Sequence, residues 1–257
     1  MEKAIKRYFP IFVLPTMIAF TLGFIIPFAE GVYLSFCKFT TVNDAKFIGL
    51  SNYAKVFKDS TFVHAFWYTA AFTVVSVILI NVLAFAVALL LTKGIKGTNV
   101  FRTVFFMPNL IGGIVLGYIW QLIINGVLMY FGRTVTYSAS YGFWGLIIML
   151  NWQQIGYMMI IYIAGIQNVP GELIEAAKID GASSWQILRK VTIPMVMPSI
   201  TICSFLTLTN SFKLFDQNLA LTAGAPANKT AMLALDIFNT FYNRSGYEGI
   251  GQAKAVL

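Results

Sequence analysis

Apolar residues in this chain come in long unbroken runs, and polar residues gather in short clusters between them. Five windows carry no Asp, Glu, Lys or Arg: Tyr8 to Ala29, Ala65 to Thr92, Thr103 to Gly132, Thr134 to Gly171, and Val191 to Phe212. A helix needs about 20 mainly apolar residues to cross the hydrocarbon core of a bilayer, so each window predicts one span. The fourth exceeds a single span, and its polar stretch Tyr137 to Tyr141 predicts a loop, which leaves Gly142 to Gln167 in the membrane. The predicted spans are about 9–36, 65–92, 103–125, 142–167 and 193–212, with a polar loop at 168–192. The pattern therefore predicts an all-α membrane protein, a polytopic helical bundle, with 1–257 forming a single transmembrane domain.

Composition sharpens this picture. The chain is 58% hydrophobic and 11% charged, whereas soluble domains carry about 25% charged residues. The first window is too long for a signal core and lacks a convincing small-residue cleavage site, so no cleaved leader is expected. A net charge of +8 suggests nucleic acid in a soluble chain; here the basic residues flank spans, and no nucleic-acid partner is expected. Cys37 and Cys203 are expected to be unpaired thiols, and the single His64 has no metal-ligand partner in sequence.

The loop at 168–192 has helix signals of its own. Pro170 suits a first helical turn, where its missing N–H is not needed. Glu172 and Glu175 follow where the helix dipole favours negative charge. Ala176 and Ala177 are strong helix formers, and Asp180-Gly181 predicts a stop with glycine in the left-handed region. Ser183 with Gln186 fits a capping box for a second short helix running through Trp185 to Lys190. A helix of about ten residues is marginal alone in water. This one needs a surface to dock on, either a partner protein or its own bundle.

The run Glu175-Ala176-Ala177-Lys178-Ile179-Asp180-Gly181, continuing to Val191-Thr192-Ile193-Pro194, resembles the coupling loop of type I ABC importer permeases. In that family Glu-Ala-Ala is followed by a Gly four residues on and, after nine more, by Ile-x-Leu-Pro; here Val191 and Ile193 stand for the Ile and Leu. Further segments are similar to the carbohydrate-uptake branch, the maltose-type and glycerol-phosphate-type subunits. They are Phe47-Ile48-Gly49-Leu50-Ser51-Asn52-Tyr53, Phe101-Arg102-Thr103-Val104-Phe105-Phe106-Met107-Pro108 with Trp120, and Thr222-Ala223-Gly224-Ala225-Pro226, where Ala225 replaces a Gly.

The resemblance implies the type I importer permease fold, a core of six spans with both ends cytoplasmic. Five are visible, and a sixth is expected after Leu257. It implies ATPase coupling through Glu172, Glu175, Ala176, Ala177, Asp180, Gly181 and Pro194. It also implies a bacterial plasma membrane location, a second homologous permease, an ATPase dimer, and an extracellular or periplasmic solute-binding protein that delivers sugar. The chain has no GxxxxGK[ST] phosphate loop, so it is expected to bind no cofactor and catalyse nothing, with ATP and Mg²⁺ held by the partner ATPase.

Basic residues give the orientation. With the N-terminus inside, segments 1–8, 93–102 and 168–190 hold nine Lys and Arg in 41 positions, among them Lys3, Lys6 and Arg7. The outside segments 37–63, 126–141 and 213–257 hold the other nine in 88 positions. The counts tie while the density favours a cytoplasmic N-terminus.

Polar groups inside spans are costly unless satisfied. Those able to line a solute path are Asn109, Trp120, Gln121, Asn151, Trp152, Gln153, Tyr157, Ser204, Thr207, Asn210 and Ser211. Amides and hydroxyls hydrogen-bond sugar hydroxyls, and rings stack on sugar faces; the same residue types also join helices to one another. Gly113 and Gly117 form a GxxxG pair suited to helix packing. No span carries a charge near its centre, which argues against an ion-coupled carrier and favours a neutral solute over an amino acid or phosphate. A lipid-directed membrane enzyme would need clustered His, Asp or Glu at the interface, which the sequence lacks.

Overall fold

The computed structural model describes the backbone of residues 2–257 and the side chains of residues 8–257. The side chains of Lys3, Lys6 and Arg7 lie outside the described residues. The helices are α1 (Glu2–Phe20), α2 (Ile26–Ser35), α3 (Ser51–Lys58), α4 (Ser60–Leu91), α5 (Thr98–Phe106), α6 (Gly113–Leu128), α7 (Ala139–Gln167), α8 (Gly171–Ile179), α9 (Ser184–Ile187), α10 (Ile193–Phe212), α11 (Asp216–Leu221), α12 (Leu233–Tyr242) and α13 (Glu248–Val256). Two short strands, β1 (Cys37–Lys38) and β2 (Lys46–Phe47), pair antiparallel. Among the described residues, five helical stretches are long and apolar enough to cross a membrane: Tyr8–Ser35, Ser60–Leu91, Gly113–Phe131, Ala139–Gln167 and Ser184–Phe212.

Two of these depart from the hydrophobic windows. The third window is not one helix. It breaks into α5, a 3₁₀ turn at Met107–Leu110 and α6. Pro108 has no N–H to continue the ladder, and Ile111 is extended. The fifth span starts at Ser184, nine residues before the predicted 193. There α9 passes into α10 through a π-helical turn, Leu188–Thr192, in which the Ile193 N–H reaches the Leu188 carbonyl. Pro194 lacks an N–H, and the widened turn lets the helix pass it unbroken. A second π turn, Thr21–Ile25, joins α1 to α2.

The chain divides into two compact units. The first comprises Met1–Val63 and Asp236–Leu257. In it α13 packs on α2 and α3. Gly249 permits this, because a Cβ there would overlap the Cys37 carbonyl. The apolar residues Ala253, Ala255 and Val256 belong to α13, which starts at Glu248. Lys254 on α13 is fully buried, and its Nζ donates to Asp59 Oδ2 (2.8 Å), Asp236 Oδ2 (2.7 Å) and Thr240 Oγ1 (2.9 Å). All three of its protons are used, which is what makes a buried ammonium tolerable.

The second unit is His64–Leu235. Its core joins Phe72 and Ile80 of α4, Leu146, Met149, Leu150 and Met158 of α7, Val196 of α10 and Leu221 of α11. Helix α7 is central, with 67% of its most apolar window buried against 28% for α4 and 22% for the fifth span. Small residues let its neighbours approach. A Cβ on Gly156 would overlap the Phe105 carbonyl of α5, and one on Gly165 would overlap Ser199 of α10. Gly113 and Gly117 do pack a helix, as the GxxxG spacing predicts. They take Asp216, Gln217 and Ala220 of α11 against α6.

Candidate functional site

The polar loop folds as its capping signals predict. Helix α8 ends in a Schellman motif: Gly181, at φ +77°, donates its N–H to Lys178, and Ala182 donates to Ala177 (2.9 Å). Ser183 caps α9, accepting from the Gln186 N–H (3.3 Å), while Gln186 Oε1 accepts from the Ser183 N–H (2.7 Å). The second helix does not stop at Lys190 but continues through the π turn into α10. Glu172, Glu175, Ala176, Asp180 and Gly181 are exposed, Ala177 is half-buried, and Pro194 is exposed in the first turn of α10. The loop thus presents α8 outward. Leu173 and Ile179 stand 45% and 86% exposed on it, apolar surface with no cover among the described residues.

A second feature is a polar cavity of about 340 Å³. Asn109 from the 3₁₀ turn, Gln153 and Gln154 from α7, and Asn210 from the end of α10 contribute to its wall. The rest is the segment Lys213–Gln217, where the chain leaves α10 and folds back as α11. The amides are held in place: Gln217 Nε2 donates to Gln153 Oε1 (2.9 Å), and Gln153 Nε2 donates to the Ile111 carbonyl (3.2 Å). Gln154 Oε1 and Asn151 Oδ1 are buried acceptors with no partner among the described residues. Asn218 anchors the fold-back, donating to the Thr230 carbonyl and accepting from the Met232 N–H.

Of the eleven residues read from sequence as a solute path, Asn109, Gln153 and Asn210 line this cavity. Others are absorbed by packing. Trp120 and Trp152 meet edge to face, 5.7 Å between centroids. Gln121 donates to the Leu221 carbonyl (3.0 Å), and Asn151 to Ile147 of its own helix. Tyr157 packs on Phe106. Thr207 donates to the Cys203 carbonyl and meets Asn81, which accepts from the Tyr162 hydroxyl. Ser211 is buried and Ser204 half-buried; neither lines the cavity.

Sequence reading missed Lys213, Asp216 and Gln217, because the first charge after Phe212 marked the end of the span. One Lys and one Asp line the cavity, both behind the end of the fifth span rather than near the centre of one. The available signal was the run of polar residues directly behind the fifth window.

His64 bonds the Lys229 carbonyl (3.0 Å) and stacks on Tyr68. Both cysteines are buried and free. Thr222–Pro226 forms a turn, with Gly224 at φ +84° and Ala225 donating to Thr222.

Residues 81–256 match the family described as binding-protein-dependent transport system inner membrane component. The chain is 44% identical over 256 residues to the probable starch degradation products transport system permease protein AmyD of Thermoanaerobacterium thermosulfurigenes, covering 96% of this chain and 87% of that protein. It is 29% identical to the trehalose/maltose transport system permease protein MalF of Thermococcus litoralis, covering 95% of this chain and 86% of that one. Its fold matches a chain of a bacterial ABC transporter that imports the acidic polysaccharide alginate, with a TM-score of 0.81 at 21% identity, covering 99% of this chain and 91% of that chain.

Proposed function

Because this chain belongs to the family of binding-protein-dependent transport system inner membrane components, we propose that it is the permease subunit of an ATP-driven sugar importer, half of a pathway that a second, homologous permease completes. The relatives at 44% and 29% identity are named for starch-product and trehalose/maltose transport. In this reading the N-terminus is cytoplasmic, in a bacterial plasma membrane, and α8 is the surface on which a partner ATPase docks. ATP and Mg²⁺ belong to that ATPase, and a solute-binding protein delivers sugar at the opposite face.

One observation carries the mechanism. The helix Ser184–Phe212 starts within the polar loop and carries Asn210 of the cavity wall in its last turn, with Lys213 directly behind its end. At about 1.5 Å per residue, its 29 residues make a lever about 43 Å long. A push on α8 reaches α9 through the rigid Gly181–Ser183 turn and travels along the same helix to the ligand. The ATPase then selects between cavity states by binding one of them more tightly. In the cavity, amides donate to and accept from sugar hydroxyls, Asp216 accepts from a diol, and Lys213 donates to a ring or hydroxyl oxygen.

Tagging this chain, co-expressing it with its ATPase and permease partners and purifying in mild detergent tests the reading. An ATPase and a second permease should co-purify with wild type and be lost or weakened with Gly181→Asp. Recovery of the chain alone, with the variant indistinguishable, would count against coupling.

The Lys213 and Asp216 pair favours a second reading, a permease for a zwitterionic solute such as an amino acid. Vesicle uptake separates the two: excess oligosaccharide blocks uptake in the first case, and excess amino acid in the second.

A further inference from the structure

We propose that a second cavity, where α8 meets the ends of two spans, binds one anionic phospholipid. Its phosphate sits between Lys93 and Lys178, and an acyl chain runs along Leu89 and Leu188. Such a site needs the spans and the cavity alone, whether or not the importer reading and its orientation hold.

The cavity measures about 420 Å³, within the range of small-ligand sites. Leu89 and Lys93 come from the end of α4, Ile174 and Lys178 from α8, and Trp185 and Leu188 from the first turns of the fifth span. Both Ser60–Leu91 and Ser184–Phe212 are long and apolar enough to cross a membrane. Their ends mark the level at which hydrocarbon gives way to headgroups, and the cavity straddles that level. Trp185, 64% exposed on it, is the residue type that sits among headgroups.

Two lysines and no carboxylate line the cavity. Neither lysine has an ion pair among the described residues. The acids of the same loop, Glu172, Glu175 and Asp180, are exposed and outside its wall. A lysine at a helix C-terminus is ordinary, since the dipole favours it there. Two lysines from separate helices opening on one acid-free cavity are not explained that way. Basic cavities between membrane helices take anionic headgroups. A soluble anion would use the lysines alone and a neutral lipid the apolar wall alone; an anionic phospholipid uses both.

The site also leaves the rest of α8 free. Ile174 and Lys178, four residues apart, share one face, and Ile174 packs against the core. Glu172, Ala176 and Ile179 lie on the opposite face by helical spacing, exposed.

Trp185 is the probe. The full chain, with whatever subunits co-purify with it, is placed in phosphatidylcholine nanodiscs. These carry an increasing share of phosphatidylglycerol brominated on its acyl chains, or of phosphatidylcholine brominated in the same way. The Trp185 signal is the difference in fluorescence between wild type and Trp185→Phe. Two lysines near a membrane surface together favour an anionic headgroup by about 30-fold. Half-maximal quenching should therefore need about 30-fold less of the brominated anionic lipid than of the neutral one. Lys93→Gln and Lys178→Gln should each remove about fivefold of that preference. Arg189→Gln, next to Leu188 but outside the wall, should leave it unchanged. Equal quenching by the two lipids overturns the proposal. So does a preference that survives both lysine variants, or one that falls equally with Arg189→Gln and so reports diffuse surface charge. Relief of quenching by excess glycerol phosphate would assign the lysines to a soluble anion and overturn it too. The importer reading is tested separately, by co-purification of the ATPase.

Discussion

At the scale of single residues, two glycines make opposite predictions. Gly156 stands where α7 crosses the backbone of α5, and any Cβ collides with the Phe105 carbonyl. Backbone cannot yield as a flexible side chain can, so Gly156→Ala should lower folded yield and thermal midpoint sharply in detergent. Gly181 has open space around it and a positive φ. Gly181→Ala should cost about 1 kcal/mol through backbone conformation alone, and Gly181→Asn, which tolerates that region, should cost less. Thermal melts of the three variants check the order.

At the scale of elements, the buried ammonium of Lys254 ties α13 to the start of α4 and to α12. Removing it strands two carboxylates, so Lys254→Met should cost about 3–5 kcal/mol. Asp59→Asn, which keeps the shape, should cost less. Burial alone would raise the Asp59 carboxyl, but the Lys254 ammonium and the Thr61 hydroxyl and N–H hold it at about 2, below its ordinary 3.8. A lowered folded value means stability is full above about pH 3.8 and is lost as pH falls through about 2, on the order of 2 kcal/mol in all. Melts between pH 5 and 2 should show that loss in wild type and its absence in Asp59→Asn. The caps of the polar loop are worth less: Ser183→Ala removes one side-chain cap, about 1 kcal/mol.

At the scale of the whole molecule, transport should separate cavity from scaffold. Asp216→Asn and Gln153→Ala should raise the KM for solute uptake several-fold in reconstituted vesicles while subunits still assemble. Ser204→Ala, away from the cavity wall, should leave uptake unchanged. A KM equal to wild type in both cavity variants would place the solute elsewhere.

Membrane residence, the approximate spans and the capped helices of the loop were legible from sequence, because they follow from local rules: hydrocarbon thickness, backbone hydrogen bonding, and side chains that satisfy helix ends. The glycine stop at Gly181 was legible for the same reason, its bonds to Lys178 and Ala177 being local. What tertiary structure alone decided was which polar residues remain available. Asn151 and Gln121 look like Gln153 in sequence, yet the first bonds its own helix and the second the backbone of α11. Lys213 and Asp216 look like a loop beyond the span, yet the chain folds back and puts them in the cavity wall. A polar side chain in a membrane bonds whichever partner the packing brings near it, and that partner can be one turn away, as for Asn151, or 100 residues away, as for Gln121.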